Sequence, residues 1–111
     1  PIRTTMAYYE FLNEENYSAA FDLLEPGTRS ILQFQSDLER MIETFACWDI
    51  PYEWDFIEMK YHASQKDDLT YLVQVDGYIR IIDIQTERHL DLPFSDQLTL
   101  VKQNDHLYIR P

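Results

Sequence analysis

Three histidines, one cysteine and twenty acidic residues are the groups in this chain that could do chemistry, and their spacing limits what that chemistry is. Cys47 stands alone, so neither an intrachain disulfide nor a paired-cysteine metal site can form. It falls between Ala46 and Trp48 at the end of an apolar helical pattern, which predicts a buried, inert thiol. His62, His89 and His106 lie in separate segments with no His-x-His or His-Glu-x-x-His spacing, so no metal centre is expected. His89 and Asp91 are two residues apart and share one side of a strand. Such a pair either exchanges protons with a bound molecule or merely decorates a solvent-facing edge. Asp55, Asp76 and Asp83 are further strand carboxylates, each alternating with apolar neighbours that should claim the core face. Gly-x-Ser-x-Gly is absent, and Gly27 and Gly77 alone cannot build a phosphate-cradling loop. Glu14-Glu15 and Asp67-Asp68 lack the calcium-loop spacing, and no cofactor is expected.

The elements that must position these groups divide at Pro51. Before it, apolar residues recur at helical spacing. Thr4 or Thr5 can cap a first helix carrying Met6, Tyr9 and Leu12, with Tyr8 and Phe11 widening the stripe. Asn13–Asn16 interrupts it, Tyr17, Ala20, Phe21 and Leu24 resume it, and Pro26-Gly27 ends it. Ile31, Leu32 and Phe34 form an apolar patch of undetermined structure. Ser36 followed by Glu39 has capping-box spacing and predicts a helix over Asp37–Trp48. After Pro51 the period falls to two. Tyr52–Ala63 switches its apolar face at Phe56-Ile57, so either a bulge there returns both sets to one core or both faces are partly covered. Gln65–Asp68 reads as a hairpin turn into Leu69–Ile84, a long β-branched and aromatic strand kinked at Asp76-Gly77. A second turn, Gln85–Arg88, leads to His89–Val101, with Leu90, Leu92, Phe94, Leu98 and Leu100 in phase. Pro93 cannot donate a ladder bond and belongs at an edge or a bulge, an irregularity that Ser95-Asp96 would extend. Gln103–His106 turns into a last strand, Leu107–Ile109. The expectation is one α+β domain over residues 1–111, with helices at about 4–48 packed in the concavity of a strongly bent antiparallel sheet of about four strands at 52–110.

Nine basic residues against 20 acidic ones leave a formal charge of −11, which repels phosphate backbones, so no nucleic-acid partner is expected. No apolar run is long enough to span a bilayer. The chain begins at Pro1 and not at Met, which fits a segment cut from a longer protein whose anchor or leader lies elsewhere. A membrane would then be met only through that missing anchor. The aromatics Tyr8, Tyr9, Phe11, Trp48, Tyr52, Trp54 and Phe56 could line a ligand pocket between helices and sheet, or could fill the core.

Three stretches resemble the nuclear transport factor 2-like, or cystatin-like cone, superfamily. They are Ala7–Leu12 with Asn16-Tyr17 and Ala20–Leu24, the capped segment Ser36–Trp48, and the closing pair Leu98–Lys102 and Asn104–Ile109, with Tyr108 where Trp is more usual. The resemblance spans nearly the whole chain and implies helices held in a bent sheet. It implies no single chemistry, because the fold carries isomerases, dehydratases, transport adaptors and non-catalytic envelope domains. Steroid-isomerase-like members place a carboxylate base and tyrosine donors in the mouth of the cone, and some dehydratase-like members use a His–carboxylate pair. No motif here matches either residue by residue.

Two readings follow. In the first, the chain is a non-catalytic interaction or accessory domain of a membrane-anchored or exported bacterial protein, partnered by another protein or by a second copy through the outer sheet face. In the second, it is a small-molecule binder or an isomerase- or dehydratase-like enzyme, in the cytoplasm or outside it, with Asp55, Asp83, His89 and Asp91 as its candidates. The cavity discriminates them. A cone of roughly 300 Å³ or more holding a buried, shifted Asp55, Asp83 or His89 favours the second, and a cone filled by Phe11, Phe21, Phe45 and Trp54 with no buried acid favours the first.

Overall fold

The computed structural model describes residues 1–27 and 29–110. Helix α1 (Ile2–Asn13) begins before the threonines expected to cap it. Pro1 takes the cap position without a side-chain bond, and Thr5 lies buried inside the helix. Its hydroxyl donates to the Pro1 carbonyl at 3.0 Å, back-bonding that satisfies a buried polar group without leaving the helix. The break at residues 13–16 is where the sequence placed it. Asn16 caps α2 (Tyr17–Asp22), its side chain accepting from the Ala19 N–H at 3.3 Å. That helix stops at Asp22, ahead of Pro26-Gly27. Tertiary pairing replaces its last turn: Leu24 bridges Ile109 in parallel, with Ile109 N–H donating to Leu23 and Glu25 N–H donating to Ile109, both at 2.8 Å.

Helix α3 (Ile31–Ala46) starts six residues before the expected Asp37. Ser30 is its cap, accepting from the Gln33 N–H at 3.2 Å, so the same capping spacing occurs twice and the earlier copy is used. The reason is packing. Phe34, Leu38, Ile42 and Ala46 fall on one stripe four residues apart, and all are buried. The apolar patch of undetermined structure is therefore the first turn of this helix, and Ser36 is an exposed residue within it. Cys47 closes α3 in the left-handed region (φ 51°) and is exposed, not buried as expected, because the chain leaves the core at this cap.

Strands β1 (Tyr52–Asp67), β2 (Thr70–Asp83), β3 (His89–Gln103) and β4 (His106–Arg110) form one antiparallel sheet in sequential order. The bulge in β1 lies between Ile57 and Lys60, two residues later than expected, with Glu58 at φ 52°. Tyr52, Trp54 and Phe56 before it and Tyr61 and Ala63 after it thereby share the concave face, while Ile57 stays outside. Gly77 faces this bulge across the ladder. A Cβ there would meet Met59 Sδ and lie 3.0 Å from the Ile57 carbonyl oxygen. The glycine thus marks a bulge in the neighbouring strand, and β2 itself runs unbroken with Val73, Val75, Ile79 and Ile81 buried on one face. Of the edge or bulge expected at Pro93, the structure has the edge and no bulge, since β3 pairs with β2 continuously from His89 to Val101. β4 covers only Thr99–Gln103, so β3 is an edge at Pro93, where a missing N–H costs no ladder bond. The first and last turns are tighter than expected, closing at Asp68-Leu69 and Asn104-Asp105, while the middle connection takes residues 84–88. In the last, both residues have positive φ, the geometry that Asn and Asp tolerate best.

The helices lie against the concave face, where Tyr9, Leu12, Phe34, Leu38 and Ile42 meet Phe56, Val75, Ile79, Phe94 and Leu100 in one cluster. One polar clip joins the layers. The Asn13 side-chain amide donates to the Phe56 carbonyl at 2.9 Å and accepts from the Phe56 N–H at 2.7 Å. It stands where a neighbouring strand would pair with the free edge of β1.

Candidate ligand cavity

Alternation along β3 puts Leu90, Leu92, Phe94, Asp96, Leu98 and Leu100 on the face turned toward the helices. Asp96 is the single polar member of that row, and its cross-strand partner Val75 is fully buried. Beside it a cavity of about 210 Å³ opens between α1, α3 and the sheet. Tyr8, Tyr9 and Leu12 of α1 form one wall, and Phe34, Asp37, Leu38 and Met41 of α3 form another. Phe56, Phe94, Asp96 and Leu98 supply the sheet side, and Arg29 closes one end.

Tyr9 is the floor. It is 3% exposed, with its ring 4.9 Å from Phe56, 5.9 Å from Phe94 and 5.2 Å from Tyr8. Burial pushes its hydroxyl far above the ordinary tyrosine range, and the nearby Asp96 charge adds to the effect. Tyr8 is pushed up to about 12, by burial first, with Asp96 adding and Arg29 opposing. Both side chains are therefore neutral hydroxyls at ordinary pH, able to donate a hydrogen bond. Asp96 sits at the mouth, exposed at its outer side. Its carboxyl is raised by partial burial, and the Gln97 N–H, which donates to it at 2.8 Å, works the other way.

Arg29 and Asp37 neutralise each other at the other end. Arg29 Nη1 lies 2.6 Å from Asp37 Oδ2, and Gln33 Nε2 donates to Asp37 Oδ1 at 2.7 Å. The Gln33 bond and then Arg29 hold the Asp37 carboxyl below its usual range. The guanidinium carbon stands 5.4 Å from the Phe34 ring centre, a cation–π contact. Arg29 Nε is shut off from solvent and has no partner among the described residues.

The candidates read from the sequence lie elsewhere, apart from three aromatics. Asp55, Arg80 and Asp91 form a row across three strands on the outer sheet face. Arg80 grips Asp91 with bonds of 2.8 and 3.1 Å, which holds the Asp91 carboxyl low. Asp55 is raised by partial burial, with Arg80 opposing. His89 is on the same outer side, opposite Ile82. Asp83 caps the β2–β3 turn, accepting from Thr86 Oγ1 at 2.8 Å and the Gln85 N–H at 2.9 Å, and these bonds lower its pKa. Tyr8, Tyr9 and Phe56 do line the cavity. Trp48 lines a surface recess with Glu43 and Tyr52, and Trp54 packs edge-on to Phe56 at 5.7 Å, outside the cavity. Asp96, Arg29 and Asp37 escaped the sequence reading. Asp96 had a signal, the one gap in the apolar row from Leu90 to Leu100, but Arg29 sits between helices with none. Among the described residues, no three His, Cys, Asp or Glu side chains converge as metal ligands.

No protein-family model matches the chain, and no curated protein matches it. Among solved structures it is similar to a "putative polyketide cyclase" from Xanthomonas campestris pv. campestris, with a TM-score of 0.53 and 14% identity over 99% of this chain and 88% of that one. At that identity the likeness is one of fold. Three N-terminal helices on an open, curved, four-stranded antiparallel sheet are consistent with the nuclear transport factor 2-like cone.

Proposed function

We propose that this chain binds a small molecule in the cavity between α1, α3 and the sheet, with Asp96 and the hydroxyls of Tyr8 and Tyr9 as the polar end of the site. The observation that carries this is Asp96 itself. A carboxylate on the helix-facing side of β3 forgoes apolar contact and loses part of its hydration. It returns nothing structural, for it pairs with no cation among the described residues and accepts only its neighbour's N–H. Groups placed against packing in this way serve bound molecules more often than folds. Volume bounds the ligand. A cavity of about 150 Å³ holds benzene, and drug-sized ligands need about 300 Å³ or more. At about 210 Å³ this one fits a single ring with a short substituent. The cyclase name of the structurally similar Xanthomonas protein supports a small-molecule role. Asp96 is also the group positioned to accept a proton from such a molecule, with a neutral tyrosine hydroxyl beside it to hold an oxygen.

The test is an NMR titration with cyclohexanone, cyclohexanol and phenol at millimolar concentration. Shifts centred on Tyr9, Phe94 and Asp96, and reduced in Leu98→Trp, which fills the cavity, are the expected result. If none of the three moves those signals, or if Arg80 and His89 on the outer face move as much, the cavity reading falls and the accessory-domain reading takes its place.

A further inference from the structure

The charges around the cavity are unequal in what they can still do. Arg29 and Asp37 are spent on each other, and Gln33 takes the second Asp37 oxygen. Arg29 Nε has no partner among the described residues, but it is closed to solvent and a ligand cannot reach it. That leaves Asp96 as the one charge on the lining without a counter-ion among the described residues. The walls beside it are aromatic. The rings of Tyr8, Tyr9, Phe56 and Phe94 stand within 4.9 to 5.9 Å of their neighbours, and a ring face is electron-rich. One wall already carries a cation in this manner, the Arg29 guanidinium over Phe34. A free carboxylate at the rim of an aromatic cavity is the arrangement that recognises an organic ammonium group, through charge and ring face together. The chain's −11 charge attracts such a ligand and repels an anionic one.

We infer that the molecule bound in this cavity is a compact organic amine, a single ring or its equivalent bearing one protonated nitrogen that Asp96 pairs and the tyrosine and phenylalanine rings surround. This rests on the cavity reading above and adds the chemical class. A neutral oxygenated ligand would use the tyrosine donors but leave Asp96 unpaired. A carboxylate ligand would face it as a like charge.

Three ligands of nearly the same shape separate the possibilities: benzylamine, benzyl alcohol and benzoate, titrated at pH 7 by NMR into the intact chain. Benzylamine should bind about tenfold more tightly than benzyl alcohol, and benzoate more weakly than either. The advantage of the amine should collapse toward parity in Asp96→Asn. It should persist in Asp105→Asn, which removes the same charge from the β3–β4 turn, far from the cavity along β3. Benzyl alcohol binding as tightly as benzylamine, or an amine preference untouched by Asp96→Asn, overturns the amine class and leaves the cavity reading standing. If none of the three shifts the Tyr9 and Phe94 signals while the spectrum remains that of the folded chain, both readings fall.

Discussion

Replacing Asp96 with leucine should make this protein more stable and less able to bind. The substitution completes the apolar row from Leu90 to Leu100 on β3 and turns a helix-facing carboxylate into a side chain that packs. A fully buried leucine side chain contributes about 1.5–3 kcal/mol. This position is at a cavity mouth and only partly covered, so a gain of about 1 kcal/mol is expected. For a domain near this size that corresponds to a rise in Tm of about 4–5 °C. The Gln97 N–H loses its acceptor, but its exposed position lets water replace it. The pH dependence supplies an independent check. Burial raises the Asp96 carboxyl, so its contribution to stability is fully present below the ordinary aspartate value and is lost as pH rises through the raised one. Leucine has no such loss. The gain of Asp96→Leu over the natural chain should therefore be larger at pH 7 than at pH 3. Thermal melts followed by circular dichroism at the two pH values measure both quantities. A lower Tm at pH 7, or a gain that grows toward acid, would show that the carboxylate holds the fold together, and the argument for a ligand-directed acid would fail.

Other substitutions test the elements that shape the cavity. Asn13→Ala removes both bonds to the Phe56 backbone and should cost about 1–3 kcal/mol in urea unfolding; an unchanged midpoint would deny the clip any weight. Asn13→Asp should cost at least as much, because a carboxylate cannot donate to the Phe56 carbonyl. Gly77→Ala drives a methyl group against Met59 and the Ile57 carbonyl, and a loss of about 1–3 kcal/mol is expected by the same measurement. Glu25 is held below its usual pKa, chiefly by its bond from Arg110, so its contribution is present at neutral pH and lost as pH falls through the lowered value. Hydrogen exchange at the Ile109 amide should accordingly quicken toward acid beyond the intrinsic trend, and Glu25→Gln should abolish that excess.

The fold was legible where pattern and packing agree. The change of period at Pro51 separates helices from sheet because each period fits only one kind of surface. The broken first helix was equally plain, since Asn16 is both a stripe-breaker and a cap. Element edges were less so. Ser30 and Ser36 offer the same capping chemistry, and only the burial of Phe34 on the α3 stripe decides between them. Gly77 announced a bulge but not whose, because a glycine can make room for a neighbour as well as bend its own strand. The cavity was least legible. Strand carboxylates drew attention to Asp55, Asp83 and Asp91, which an arginine and a turn account for. Asp96 was hidden by its neighbours, since Pro93 and Ser95 made the segment look irregular and so discounted the row it interrupts. Arg29 reaches the cavity from a connection between helices, where no periodicity constrains a side chain.

The Asn13 clip has a counterpart on the far side of the sheet, and together they cover part of both sheet edges. Strand edges are templates for pairing with another chain. At the β1 edge, the Asn13 amide occupies both Phe56 backbone groups, and Glu58 in the bulge beyond it breaks the line a visiting strand would follow. At the β4 edge, Leu23–Glu25 fills the place of a fifth strand through its bridge to Ile109. Both guards belong to the first quarter of the sequence. The N-terminal segment is thus a stopper as well as a core layer, and a chain trimmed of it would expose the β1 edge and the short β4 edge at once. Its failure would take the form of intermolecular strand addition, and solubility would be lost before secondary structure.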